Sequence, residues 1–120
     1  MRAFKITRID DLCNLHDEYN EAEFDGKLRS ITLLIKRQAT KDGWYEYKAH
    51  KDWTPIRDQL WKASIVLSEG CWEEDSVEGT LLHEMIHQYQ CEVLNRAPHH
   101  DAVFTQMARR LGRKYECDVE

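Results

Sequence analysis

The sequence predicts the α+β class: one helix, about three short strands, then two helices, with a small antiparallel or mixed sheet packed against the helices. Three observations carry this. Apolar residues near the start recur at helical spacing. The middle of the chain holds short aliphatic and aromatic runs bounded by turn residues. Helical spacing then returns twice, on either side of Pro98.

Taken in order, Ile9, Leu12, Leu15 and Tyr19 share one face of a helix running from Ile9 to about Ala22. Phe24-Asp25-Gly26-Lys27 reads as the turn that closes it, because glycine takes positive φ without steric strain. Ile31 to Lys36 puts Ile31, Leu33 and Ile35 on one face of a strand, and Trp44 to Ala49 alternates aromatic and polar residues as a second. Lys41-Asp42-Gly43 between them reads as a hairpin connection. Ala63 to Leu67 gives a third strand, whereas Lys51 to Trp61 fits a loop or a short helix equally. From about Ser76 to Asn95, Leu82, Ile86, Tyr89 and Val93 form a buried helical stripe, with Leu81 and Met85 adding apolar character on another side. Asp75 with Glu78 three residues later resembles a capping box for this helix. Asp101 can cap a last helix carrying Val103, Phe104, Met107, Ala108 and Leu111 inward. Trp44, Trp53, Trp61 and Trp72 could wall an aromatic cleft, but a place in the core is the favoured expectation for each.

The 120 residues are expected to form a single domain over 1–120, long enough for one hydrophobic core without staples. No apolar run approaches the roughly 18 residues of a membrane span, and the start of the chain lacks the apolar segment of a signal peptide. Cys13, Cys71, Cys91 and Cys117 form no C-x-x-C pair, which fits reduced thiols in a cytoplasmic protein. A net charge of −5 argues against broad attraction to nucleic acid. The local exception, Arg109, Arg110, Arg113 and Lys114, also suits the negative end of a helix dipole.

The chemistry sits in His83-Glu84-Met85-Ile86-His87. Histidines four apart lie about 40° apart around a helix, so both imidazoles can reach one metal ion. Glu84 is too close in sequence to share that ion comfortably, yet is well placed to take a proton from water there. Buried on an apolar helix, these three polar groups need partners, and a metal ion would satisfy all of them at once. The pattern is that of a zinc-dependent hydrolase, which needs three protein ligands and an open fourth position.

Which residue is the third ligand is less direct. A histidine six residues after His87 is absent, since that position is Val93. Glu92 lies roughly 140° around the helix from His87 and points away. Glu116 and Glu120 are the downstream carboxylates, with Glu116 at the end of the last helix, and His99 and His100 stand on the connection between the two final helices.

From Leu81 onward the sequence resembles the SprT-like (Spartan-type) metalloprotease family. Members carry a leucine-rich approach to H-E-x-x-H, then a loop, then a histidine four residues before a phenylalanine. His99-His100-Asp101-Ala102-Val103-Phe104 is similar, and the resemblance places His100 on the third metal ligand and Phe104 on the packing aromatic. Tyr19-Asn20 to Phe24-x-Gly26-x-Leu28 and Ile65-Val66-Leu67-Ser68 resemble the family's helix end and its short strand. Glycines that flank the family's third histidine are replaced by His99 and Asp101, and the cysteine-rich zinc ribbon of many relatives has no counterpart.

The resemblance implies a small zincin-like domain and peptide-bond hydrolysis, with Zn2+ held by His83, His87 and His100 and Glu84 as general base on water. The partner is then a protein or peptide substrate, with DNA-associated proteins among the candidates. Helping electrophiles could come from His99, Tyr45 or Tyr115, and Asp101 could orient a ligand histidine. Two rival readings stand beside it. A noncatalytic zinc-binding interaction module would need a fourth ligand such as Cys91 or His99, and a DNA-associated protein would use the basic residues on phosphates.

Overall fold

The computed structural model describes residues 9–37, 42–73 and 75–120. The start of the chain and Lys41 of the expected hairpin connection lie outside the described residues. The elements in order are α1 (Ile9–Glu23), β1 (Thr32–Lys36), β2 (Gly43–Glu46), a 3-10 helix (Arg57–Lys62), β3 (Ser64–Ser68), a one-turn α2 (Gly70–Glu73), α3 (Val77–Glu92) and α4 (Ala102–Tyr115). The α+β class holds, with a three-stranded sheet against the helices.

The sheet order is β1-β3-β2, with β3 parallel to β1 and antiparallel to β2. This overturns the hairpin expected through Asp42 and Gly43, because β3 inserts between the two strands. The reason lies in β3 itself. All five residues of Ser64-Ile65-Val66-Leu67-Ser68 are buried, and a strand buried on both faces sits best with a partner on each side. The ambiguous stretch before β3 resolves into turns and the 3-10 helix.

Helix α1 buries Leu12, Leu15 and Tyr19 as its spacing requires. Its end is held by Asn20, whose side chain donates to the Leu28 carbonyl and accepts the Leu28 N–H at 3.0 Å. Asp25 and Gly26 both have positive φ there, and Gly26 carries the larger value at 68°. Glycine meets that demand at no steric cost. At the same end of α1 the Glu23 carboxylate accepts from Arg110, Lys114 and Tyr115, tying α1 to α4.

Helix α3 is the spine of the molecule. Leu81, Leu82, Met85 and Ile86 are fully buried, so the helix is enclosed on more than one side. Its start does not use the expected capping box. Ser76 is the N-cap and makes no side-chain cap bond, Asp75 is an exposed turn residue with positive φ, and Glu78 accepts from the Tyr19 hydroxyl. Asp101 does cap α4, accepting the Phe104 N–H at 3.0 Å. That helix turns Phe104, Ala108 and Leu111 into the core, whereas Val103 is 38% exposed. One residue off the stripe is about 100° around the helix, enough to leave the core. Two tryptophans also depart from expectation: Trp53 and Trp61 are 69% and 66% exposed, standing on the turns and 3-10 helix outside the packed layers.

Candidate metal centre

Helix α3 presents His83 and His87 one turn apart, on a face neighbouring its apolar stripe. A largely buried helix needs a reason to carry imidazoles there, and the chain supplies it after Asn95, which takes positive φ. The connection returns along α3 and delivers His100 beside the other two. Nitrogen atoms of His83, His87 and His100 all lie within 4.8 Å of one another, and no other such group of three occurs among the described residues. His99 lies outside the group, as do Glu116, Glu120 and Cys91.

The donor set fits a tetrahedral ion. At zinc–nitrogen lengths of roughly 2.0–2.1 Å, tetrahedral ligands stand about 3.3 Å apart. His87 Nε2 and His100 Nε2 are 3.2 Å apart. Their protonation pattern fits as well. His83 Nδ1 is 2.7 Å from the Val119 carbonyl, an acceptor only, so that nitrogen carries the proton and Nε2 offers a lone pair. His87 Nδ1 donates to Gln90 Oε1 at 2.9 Å, with the same result. Phe104 forms the floor, stacked on His100 with ring centroids 4.3 Å apart and on His87 at 4.9 Å.

Gln90 was not singled out in the sequence and is the most consequential side chain missed. Its fully buried amide accepts from the His99 N–H and donates to the His99 carbonyl at 2.8 Å, which also fixes which end is oxygen. One residue therefore orients His87 and stitches down the connection that carries His100. Its signal was available: Gln90 falls three residues after His87, within reach of the same helix face. Asp101 takes the capping role expected of it on α4 and pairs with Arg96, rather than the alternative role of orienting a ligand histidine. Gln90→Leu is expected to weaken metal binding about 10- to 100-fold and to destabilise the fold by roughly 2–4 kcal/mol, since three backbone and imidazole groups lose partners. Chelator competition and thermal melts check both effects.

Burial lowers the tendency of His83 and His87 to take a proton, and His87 is pushed down from 6.5 to about 4. Both imidazoles are therefore neutral at neutral pH, the form a metal ion needs. Between those two values the unfolded chain binds more protons at His87 than the folded one. Stability of the metal-free protein is thus fully present above about 6.5 and falls as pH drops toward about 4, by roughly 3 kcal/mol from this group. Melts in chelator across that window should show the decline, with a shallower slope in His87→Gln.

Glu84 is buried, and its Oε2 lies 3.9 Å from His83 Nε2, the nitrogen that faces the cluster. It also lines a half-open cleft of about 530 Å³, together with Asp42, Gly43, Thr80, His83 and Val119. The two tyrosines considered as helping electrophiles do not line this cleft. Tyr115 donates to Glu23, and Tyr45 is half-buried beside Cys91, where burial raises the phenol well above its usual range and the thiol to about 12. His99 gives its backbone groups to Gln90. The basic residues of α4 are also engaged, Arg110 and Lys114 with Glu23 and Arg109 with Glu120.

The described cysteines are free thiols, and no described helix is long and apolar enough to cross a membrane. The fold and site together define a small α+β domain in which two histidines of a buried helix and one from the connection after it form a cluster that could hold a metal ion. A sequence model of the SprT-like family matches residues 12–120, and the chain belongs to that family. No curated protein matches it.

Proposed function

We propose that this chain is a zinc-dependent metallopeptidase, with His83, His87 and His100 as metal ligands and Glu84 as general base. The observation that carries the reading is the convergence of three imidazoles beside a buried carboxylate at the edge of a cleft. Three imidazoles suit zinc, which when bound would acidify water and polarise a peptide carbonyl.

The chain's own residues account for the rest. Glu84 accepts a proton from water and passes it to the leaving amine nitrogen. Val119 and Gln90 keep His83 and His87 in the tautomer that points Nε2 at the ion. β2 is an edge strand in the order β1-β3-β2, and its first residue Gly43 lines the cleft beside Glu84. An extended peptide can pair with such an edge and bring its carbonyl past the cluster. The substrate class is therefore a peptide or an unfolded protein segment, and the setting that fits reduced thiols is cytoplasmic.

A noncatalytic zinc module would close the site with a fourth protein ligand. The group among the described residues has three, which favours the catalytic reading. Direct contact with DNA finds little support, because three of the four basic residues of α4 already pair with carboxylates.

The test is to load purified protein with zinc and measure bound metal and cleavage of a quenched fluorescent unfolded protein together. One ion per chain and cleavage abolished by chelator and restored by zinc is the expected result. An ion bound without cleavage of any unfolded substrate would favour the noncatalytic module.

A further inference from the structure

Two helical glycines have no role in the chemistry so far. Gly79 lies in the first turns of α3, and a Cβ there would overlap the Asp118 carbonyl oxygen and come 3.0 Å from its carbon. Gly112 lies in the last turn of α4, and a Cβ there would stand 2.9 Å from the Cys117 carbonyl oxygen. Glycine inside a helix is unfavourable relative to alanine, so both positions run against local preference. What they share is the chain after α4. Glu116 takes positive φ, Cys117 N–H returns to the Gly112 carbonyl, and the backbone of residues 117–118 runs through the clearance the two glycines leave. Val119 then buries its side chain in the core, 2% exposed, and turns its carbonyl onto His83 Nδ1 at 2.7 Å.

We propose that Gly79 and Gly112 are positioning residues for the metal centre, seating the segment Cys117–Val119 so that the Val119 carbonyl holds His83 with Nε2 toward the ion. The inference rests on His83 being a ligand, as argued above. Its logic is geometric. His87 is held by a side chain of its own helix, whereas His83 is held by a backbone atom from a distant segment. That segment reaches His83 only if neither helix carries a Cβ in its path. Alanine at Gly79 would suit α3 itself while lifting the segment away, so the effect appears at His83 rather than in the helix.

The test reads His83 directly in metal-free protein by imidazole 15N NMR, assigned by loss of its signal in His83→Gln, and reads Co2+ affinity in parallel. In Gly79→Ala the Nδ1–H tautomer of His83 is expected to lose its dominance, with Co2+ affinity falling about 10- to 100-fold and the His87 signal unchanged. Gly112→Ala should act in the same direction, and Gly70→Ala, whose Cβ would meet only the Ser68 hydroxyl at 3.5 Å, should match the wild type. A Gly79→Ala protein with wild-type tautomer and affinity would overturn the proposal. Should that variant lose cooperative unfolding, deletion of residues 118–120 removes the acceptor without adding a Cβ, and an unchanged His83 tautomer there overturns it equally. Wild-type protein that takes up no Co2+ would instead sink the metal reading, while the tautomer measurement still decides the role of the segment.

Discussion

Replacing Glu84 by glutamine is expected to leave bound metal at one ion per chain and to lower peptide hydrolysis about 100- to 10,000-fold. Glutamine keeps the size of the buried side chain but cannot take a proton from water. The Glu84 carboxylate stands 3.9 Å from His83 Nε2, beyond hydrogen-bond length, so the amide should leave that imidazole in place. Metal content therefore separates a lost base from a collapsed site. The check is turnover of an unfolded substrate alongside elemental analysis of the same preparation. A Glu84→Gln protein that turns over at the wild-type rate would remove Glu84 from the mechanism.

The second large effect concerns the adjacent histidines. His100→Ala is expected to weaken zinc binding by more than about 100-fold, beyond the range typical of changes outside the ligands themselves. His99→Ala is expected to stay within a few-fold. His99 serves Gln90 through its backbone N–H and carbonyl, and alanine retains both. His100 instead offers its ring, with Nε2 3.2 Å from His87 Nε2. Competition against a chromophoric chelator distinguishes the two variants, and the opposite order would move the third ligand to His99.

What could be read from the sequence divides by physical range. Helices α1, α3 and α4 and the strand β3 announce themselves through periodicity and composition, because each signal is local. The H-E-x-x-H run is local too, since helix geometry alone brings His83 and His87 to one side. His100 could be narrowed only to a pair of neighbours, because the backbone path of the connection is set by Gln90 and by the positive φ at Asn95. The sheet order was missed for a related reason. Turn residues between two strands point to a hairpin, but the competing preference of a fully buried β3 for two partners is visible only when all three strands are compared. Trp53 and Trp61 were placed inside on hydrophobicity alone, although nothing in their neighbourhood repeats with a helical or strand period. The Val119 carbonyl could not have been found by residue type, since every residue has one.

The strand order also bears on how the chain reaches its native state. Thr32 pairs with Ser64 and Gly43 with Leu67, so neither ladder can zip up from a short turn. Each requires closure of a long loop before contacts repay the lost chain entropy. The histidine cluster has the opposite character: its three members come from one helix and the connection that follows it.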